Sequence, residues 1–433
     1  MKAKVLKLIK IPFIRNVAIM ASGTALAQAI TMALSPLITR IYGPEAFGIL
    51  GVFVAITGIV APLAALTYPI AIVLPKREDH AKGLMRLSLY ISILIASFVA
   101  IILSVFNENI VNLFNIESVA PYLYLIPVVI LCAGFLQVVE QWLIRKKQFR
   151  ISANASIIQA VLLQGGKVVA GLFFPVASIL IIFTAFGEGI KALFMALFTS
   201  KFEVNKIRAS SNCEKINLNM IAKKYVDFPK YRAPEVLFNA ISQSLPVLML
   251  ASFFGPSSVG FYTIGRSVLS MPTILIGKSV GDVFYPRISD AEKSGEDLLQ
   301  LIKKATLMLG IIGILPFGII ILFGPVLFSF IFGPHWLVAG EYARWIALWS
   351  FFGFINIPSV RALPVLGAQS FHLKFTILML LTRIIVLAIG YYAFSSDQIA
   401  VALFGISGAV LNVFLILSTL KISKIYLTAN TDQ

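Results

Sequence analysis

Predominantly apolar runs of about twenty residues, recurring about twelve times between Asn16 and Leu420, constrain this chain more than any other feature. A run of that length crosses roughly 30 Å of hydrocarbon as a helix, the one open-chain structure that satisfies its own backbone groups there. The first half gives runs near Asn16 to Ile38, Phe47 to Leu74, Leu84 to Phe106, Pro121 to Val139, Ile151 to Phe174 and Ala177 to Thr199. The second gives Ala233 to Phe254, Val259 to Phe284, Leu301 to Phe323, Leu337 to Ile355, Leu373 to Phe394 and Gln398 to Leu420. The expected fold class is therefore an all-α polytopic membrane protein of about 12 transmembrane helices, divided into two six-helix lobes. With 59% hydrophobic and 13% charged residues, a chain of 433 has too little polar surface for a soluble body of that size.

The longest polar stretch, Lys201 to Arg232, falls close to the midpoint. It carries Lys201, Lys206, Arg208, Lys215, Lys223, Lys224, Lys230 and Arg232 against Glu203, Glu214 and Asp227. The expected organisation is an N-terminal lobe over residues 1–200, a basic cytoplasmic linker over 201–232 and a C-terminal lobe over 233–433. The linker reads either as a solvated connection or as a surface for anionic lipid or a partner. Lys and Arg then alternate between successive loops. Same-side loops hold Lys76, Arg77 and Lys82, then Arg145, Lys146, Lys147 and Arg150, then Arg287, Lys293, Lys303 and Lys304. The opposite loops carry almost none, with Arg40 the main exception. That pattern places both termini in the cytoplasm. It also accounts for the net charge of +17 without nucleic acid, which is excluded as a partner. The first apolar run continues through Ile38 without a small-residue cleavage site and reads as a span, not a removed signal peptide. Cys132 and Cys213 lie where they do not easily meet as a disulfide, and no spacing suggests a metal site.

The two halves resemble each other. IYGPEAFGIL at Ile41 to Leu50 precedes IVLPKR at Ile72 to Arg77, and FFGPSSVGFY at Phe253 to Tyr262 precedes VFYPR at Val283 to Arg287, about 212 residues further on. Gly-Pro followed by Gly marks a tight turn between spans, since proline fixes one dihedral and glycine permits unusual ones. An even number of spans per half makes the repeats parallel, the layout of a transporter. On these residues, and most specifically on LITRIYGPEAFGILGVFVAITGIVAPLAALTYPIAIVLPK from Leu37 to Lys76, the chain resembles the polysaccharide flippase branch of the multidrug/oligosaccharidyl-lipid/polysaccharide exporter superfamily, the bacterial O-antigen or repeat-unit flippases. Tyr42 stands where that family frequently has Leu. The resemblance implies alternating access between two lobes, an inner-membrane location and a polyprenyl-diphosphate-linked oligosaccharide as substrate. Membrane lipids, a polysaccharide polymerase and a chain-length regulator are the partners it brings into view.

Charges inside spans are costly and default to function. Glu188 with Lys191 and Glu341 with Arg344 stand three residues apart, and Lys278 with Asp282 four, so each pair shares a helix face. They either neutralise themselves or serve gating or coupling. Lys167, Arg266 and Arg383 have no carboxylate at such spacing. They are the sharper candidates for a cationic chamber, with Lys191 and Arg40 as further members. A guanidinium fork and a compact ammonium suit a diphosphate. Sugars need amides and hydroxyls, which Gln28, Gln137, Gln141, Asn154, Gln159, Gln164, Asn239, Gln243 and Asn412 supply unless they serve helix packing.

The chief rival is a cation-coupled multidrug antiporter of the same superfamily, which calls for acids in the cavity. Glu188, Asp282 and Glu341 each have a cationic neighbour in sequence. A glycan polymerase or ligase needs a large outer loop, and none is visible. No Gly-rich phosphate loop with its lysine occurs, so no enzyme activity and no cofactor are expected, and the coupling candidates are a proton or sodium.

Overall fold

The structure is a computed structural model that describes residues 12–207 and 217–431. The basic N-terminal tail, Arg208, Cys213 and Glu214 lie outside those residues. Among the described residues the chain is built of helices, with no strand. Nine helical segments there are long and apolar enough to cross a membrane, as befits an all-α multi-pass membrane protein.

The other three expected spans are also helical. The first, α1 (Pro12–Ile41), is diluted by Ser22, Thr24, Gln28, Thr31 and Ser35. The eighth runs as α9 (Pro256–Pro272) and α10 (Lys278–Lys293), continuous through a π turn over Thr273–Gly277. The tenth, α12 (Leu337–Ile355), carries Glu341 and Arg344. The second expected span, Phe47 to Leu74, is a shorter helix than the hydropathy suggests. Helix α2 (Pro44–Val60) passes into one 3-10 turn at Ala61–Leu63 and then stops. Leu66 and Thr67 follow with φ of 47° and 60°, and a second 3-10 stretch covers Tyr68–Val73. The left-handed backbone at Leu66 and Thr67 diverts the chain, and Pro69 then sits in the first turn of the second 3-10 stretch, where its missing N–H costs no ladder bond.

The chain divides into two compact units, Met1–Leu248 and Met249–Gln433. In the first, α3 (Glu78–Phe114) packs on α4 (Ile126–Arg145), α4 on α6 (Ala177–Ile207), and α5 (Phe149–Phe173) on both α1 and α6. The 3-10 stretch at Tyr68–Val73 lies against α3 and α4. Helix α7 (Leu218–Lys224), inside the basic linker, docks on this corner. Ile221 is 1% exposed, in one cluster with Tyr68, Ala71, Ile72, Leu84 and Trp142. The Thr67 hydroxyl donates to the Phe228 carbonyl at 3.0 Å and the Tyr68 hydroxyl to that of Ala222 at 3.1 Å. Helix α8 (Ala233–Phe254) follows and contains the boundary between the units.

In the second unit α12 is central. It packs on α9, on α11 (Leu298–Phe332) and on α15 (Asp397–Thr431), while α14 (Gln369–Tyr392) lies along α15 and α13 (Ile357–Ala362) against α10. Helices α11 and α12 cross with Gly324 on Gly340, so closely that a Cβ on Gly340 would sit 2.4 Å from the Gly324 carbonyl oxygen. Small residues bring helices together in this way where lipid supplies no hydrophobic drive to association.

Candidate functional site: cations held within the helices

In the first unit, α5 and α6 hold Lys167 between them. Its Nζ donates to Thr184 Oγ1 at 3.0 Å, and that hydroxyl donates in turn to the Leu180 carbonyl at 2.7 Å. The Tyr42 hydroxyl donates to the Lys167 carbonyl at 2.8 Å, which ties the end of α1 to α5. A hydroxyl partner steadies the ammonium without cancelling it. Among the described residues no carboxylate pairs with Lys167.

Lys191 is different. Its sequence neighbour Glu188 is not its ion-pair partner; Nζ bonds Glu140 Oε1 on α4 at 2.6 Å. Glu188 lies near enough to feel the charges of both Glu140 and Lys191. Two carboxylates therefore share one ammonium, beside a cavity of about 80 Å³ that Glu140, Lys191, Thr24, Ser152 and Ser156 help line. Lys191 belongs to this neutralising cluster and not to an exposed cationic surface. The partner escaped sequence reasoning because Glu140 sits one residue past the expected end of its span at Val139, and spacing along one helix says nothing of the helix opposite.

In the second unit the fold brings Arg266 and Arg383 together. Arg266 projects from α9 and Arg383 from α14, close enough for their like charges to act on each other. The Arg383 guanidinium lies 5.4 Å from the Trp349 ring centre and 5.8 Å from that of Phe404. Those two rings meet edge to face at 5.2 Å, and Tyr262 abuts Phe404 at 6.2 Å. Stacking on rings satisfies the face of a guanidinium and leaves its N–H edge for an acceptor. Nothing in the spacing of Trp349, Phe404 or Tyr262 marks them in sequence. Their role follows from three helices meeting.

The remaining candidates are dispersed. Arg40 is exposed in the last turn of α1. Glu341 and Arg344 do not form the expected pair: Gln398 Nε2 donates to Glu341 Oε2 at 2.6 Å, and Arg344 Nε donates to the Ile321 carbonyl at 2.8 Å. Both prefer partners on neighbouring helices, α15 and α11. Lys278 and Asp282 lie on α10, with side chains outside the described part of the structure. Several of the amides serve packing, among them Gln137 to the Ala61 carbonyl at 2.8 Å, Gln159 to that of Gly187 at 2.7 Å, and Asn356 to Asn412 at 2.9 Å.

A family model described as "Polysaccharide biosynthesis protein" matches residues 37–341. No curated protein matches the sequence. Among solved structures, an inward-facing multidrug resistance MATE family transporter of the MOP superfamily is similar with a TM-score of 0.71 at 14% identity, over 96% of this chain and 99% of that one. The lipid II flippase MurJ, in an inward closed conformation, gives 0.69 at 16% identity over 94% and 90%. A MOP superfamily transporter from Pyrococcus furiosus, described by the reverse polarity of its binding pocket, gives 0.59 at 14% over 96% of both chains. Likeness at these identities establishes the fold.

Proposed function

This chain belongs to the polysaccharide biosynthesis protein family, and from that membership we propose that it is a flippase for polyprenyl-diphosphate-linked oligosaccharide units in the bacterial inner membrane. It works by alternating access, with both termini in the cytoplasm, and takes no part in bond making or breaking.

The observation that carries this reading is the Arg266 and Arg383 pair on its aromatic platform. An anion that meets both guanidinium groups offsets the repulsion between their like charges. A diphosphate does so with two-pronged hydrogen bonds to each planar fork. The rings hold Arg383 in place beforehand, so less freedom is lost on binding. Lys167, whose amino group is held by the Thr184 hydroxyl, supplies a further donor in the first unit.

The test is transbilayer movement of a labelled polyprenyl-diphosphate oligosaccharide in proteoliposomes. At equal expression, Arg266→Ala, Arg383→Ala and Lys167→Ala should each slow movement by about tenfold or more, the worth of one charge-assisted hydrogen bond. Arg383→Lys should rescue only in part, because an ammonium lacks the fork. Three fully active alanine variants would overturn the assignment.

One observation favours a second reading. Glu188 beside the Glu140 and Lys191 pair leaves two carboxylates to one ammonium in that cluster, as a coupling proton or sodium ion requires. Efflux of a small cationic drug driven by either ion, with no lipid moved, would identify the chain as a cation-coupled multidrug antiporter.

A further inference from the structure

At the start of α12 the second unit carries a half-open cavity of about 170 Å³ lined by Glu341, Tyr342, Arg344, Trp345 and Gln398. Its polar groups are held apart in an unusual way. A carboxylate and a guanidinium three residues apart on one helix would ordinarily close on each other. Here Gln398 holds Glu341 and the Ile321 carbonyl holds Arg344. Each keeps bonding capacity: among the described residues Glu341 Oε1 and the terminal nitrogens of Arg344 carry no hydrogen bond. Trp345 adds an indole that is 38% exposed.

The walls are fixed from behind. Asp397 accepts the Ser258 hydroxyl at 2.5 Å and the Gln398 backbone N–H at 2.8 Å, which sets the first turn of α15. Gly405 lies so close to the Trp345 backbone that any side chain there would collide with it. Tyr342 is fully buried beneath.

The charges decide what such a hole accepts. An anion meets Glu341, a simple cation meets Arg344, and an apolar ligand would strip water from both without replacing its hydrogen bonds. A neutral polyhydroxylated ring suits all the groups at once. Its hydroxyls both donate and accept, and its C–H face packs on an indole. We infer that this cavity is a glycan subsite for one pyranose ring, with Trp345 beneath the ring, Glu341 accepting from its hydroxyls, and Arg344 and Gln398 donating. The inference deepens the flippase reading and rests on it for the glycan as cargo. On the proposed topology the subsite lies at the non-cytoplasmic end of its bundle, where the sugar is released.

The test uses the full chain in nanodiscs, titrated with free neutral hexoses, N-acetylhexosamines and their disaccharides while tryptophan fluorescence is followed. At least one glycan should give a saturable change that Trp345→Phe abolishes, with Gln398→Ala and Glu341→Ala weakening affinity about tenfold. In proteoliposomes those variants should slow glycan-bearing polyprenyl diphosphate relative to the sugar-free lipid, whereas Arg383→Ala slows both alike. No saturable response, a full response in Trp345→Phe, or an unchanged lipid ratio would overturn the subsite. If sugars bind through Trp345 but wild type moves no lipid-linked glycan, the flippase reading fails and the subsite stands.

Discussion

Two stretches of this chain begin alike and end differently. Helices α2 and α9 are each 17 residues long, each follows a glycine and each starts on proline. Beyond them the first repeat breaks into turns at Leu66 and Thr67, while the second continues through the Thr273–Gly277 π turn into α10. At the separation of about 212 residues that carries Gly43 to Gly255, Pro69 of the first repeat meets Gly281 of the second. Proline there falls in the first turn of the Tyr68–Val73 stretch, where its missing N–H has no ladder bond to break, whereas glycine lets α10 lie close to Ile357 and Arg361. The first repeat thus ends in a broken corner, which receives the linker, and the second runs on as helix.

If the corner is a docking site, its largest single dependence is Ile221, the one fully buried residue that the linker adds to this cluster, beside the partly buried Ala222, Tyr225 and Phe228. Ile221→Ala should cost about 2–5 kcal/mol, the range for truncating a fully buried isoleucine. Trypsin should then cut after Lys223 and Lys224 much faster, with helix content by circular dichroism unchanged. Cleavage at the wild-type rate would mean that the corner holds the linker without this contact, and the contrast between the repeats would lose its consequence.

The two glycines sharpen the comparison at the next level of energy. Gly255 has φ of 82° and ψ of −178°, a region almost confined to glycine, whereas Gly43 has φ of −71° and ψ of 173°, which any residue adopts. A Cβ at either position meets nothing within 4 Å, so only the backbone separates them. Gly255→Ala should destabilise by about 1–3 kcal/mol. Gly43→Ala should be neutral or stabilise by about 0.4–1 kcal/mol, through a less flexible unfolded chain. Thermal unfolding of the two variants in detergent decides it, and equal shifts would refute the distinction.

These contrasts show what the residues disclose and what they hide. The helical class, the repeat and its Gly-Pro turns are legible because apolar length and proline chemistry act locally. The stop at Leu63 is not legible: Pro62 stands beside it, but prolines also lie inside α1, α8, α10 and α11, and hydropathy runs on to Leu74. Charge partners were not legible. Lys191 reaches across to Glu140, Glu341 to Gln398, and Arg383 to Trp349 and Phe404, each on another helix. Spacing along one helix ranks only the partners that helix can offer. In a bundle with few charges, the geometry of helix packing chooses instead.

The smallest expected effect lies where each repeat closes on proline and a basic residue. Arg287 grips both oxygens of Glu296, at 3.2 and 2.5 Å, whereas in the first repeat Arg77 reaches Asp79 at 3.6 Å. The hydrogen bond from Arg287 holds the Glu296 carboxyl below its ordinary range, with the guanidinium charge adding to it, and the same contact raises Arg287. A carboxyl whose folded pKa is depressed binds its proton more weakly than in the unfolded chain. Its stabilisation is therefore complete above the unfolded value of about 4.3 and disappears as pH falls through the lower folded value. Both side chains are about half exposed, so salt screens the pair. Melting curves of wild type and Glu296→Gln should differ slightly at neutral pH and low salt, draw together as the medium is acidified below about pH 4, and coincide at high salt. A gap that persists in acid would assign the stabilisation to the shape of the side chain, and the two closing turns would then differ in geometry but not in charge.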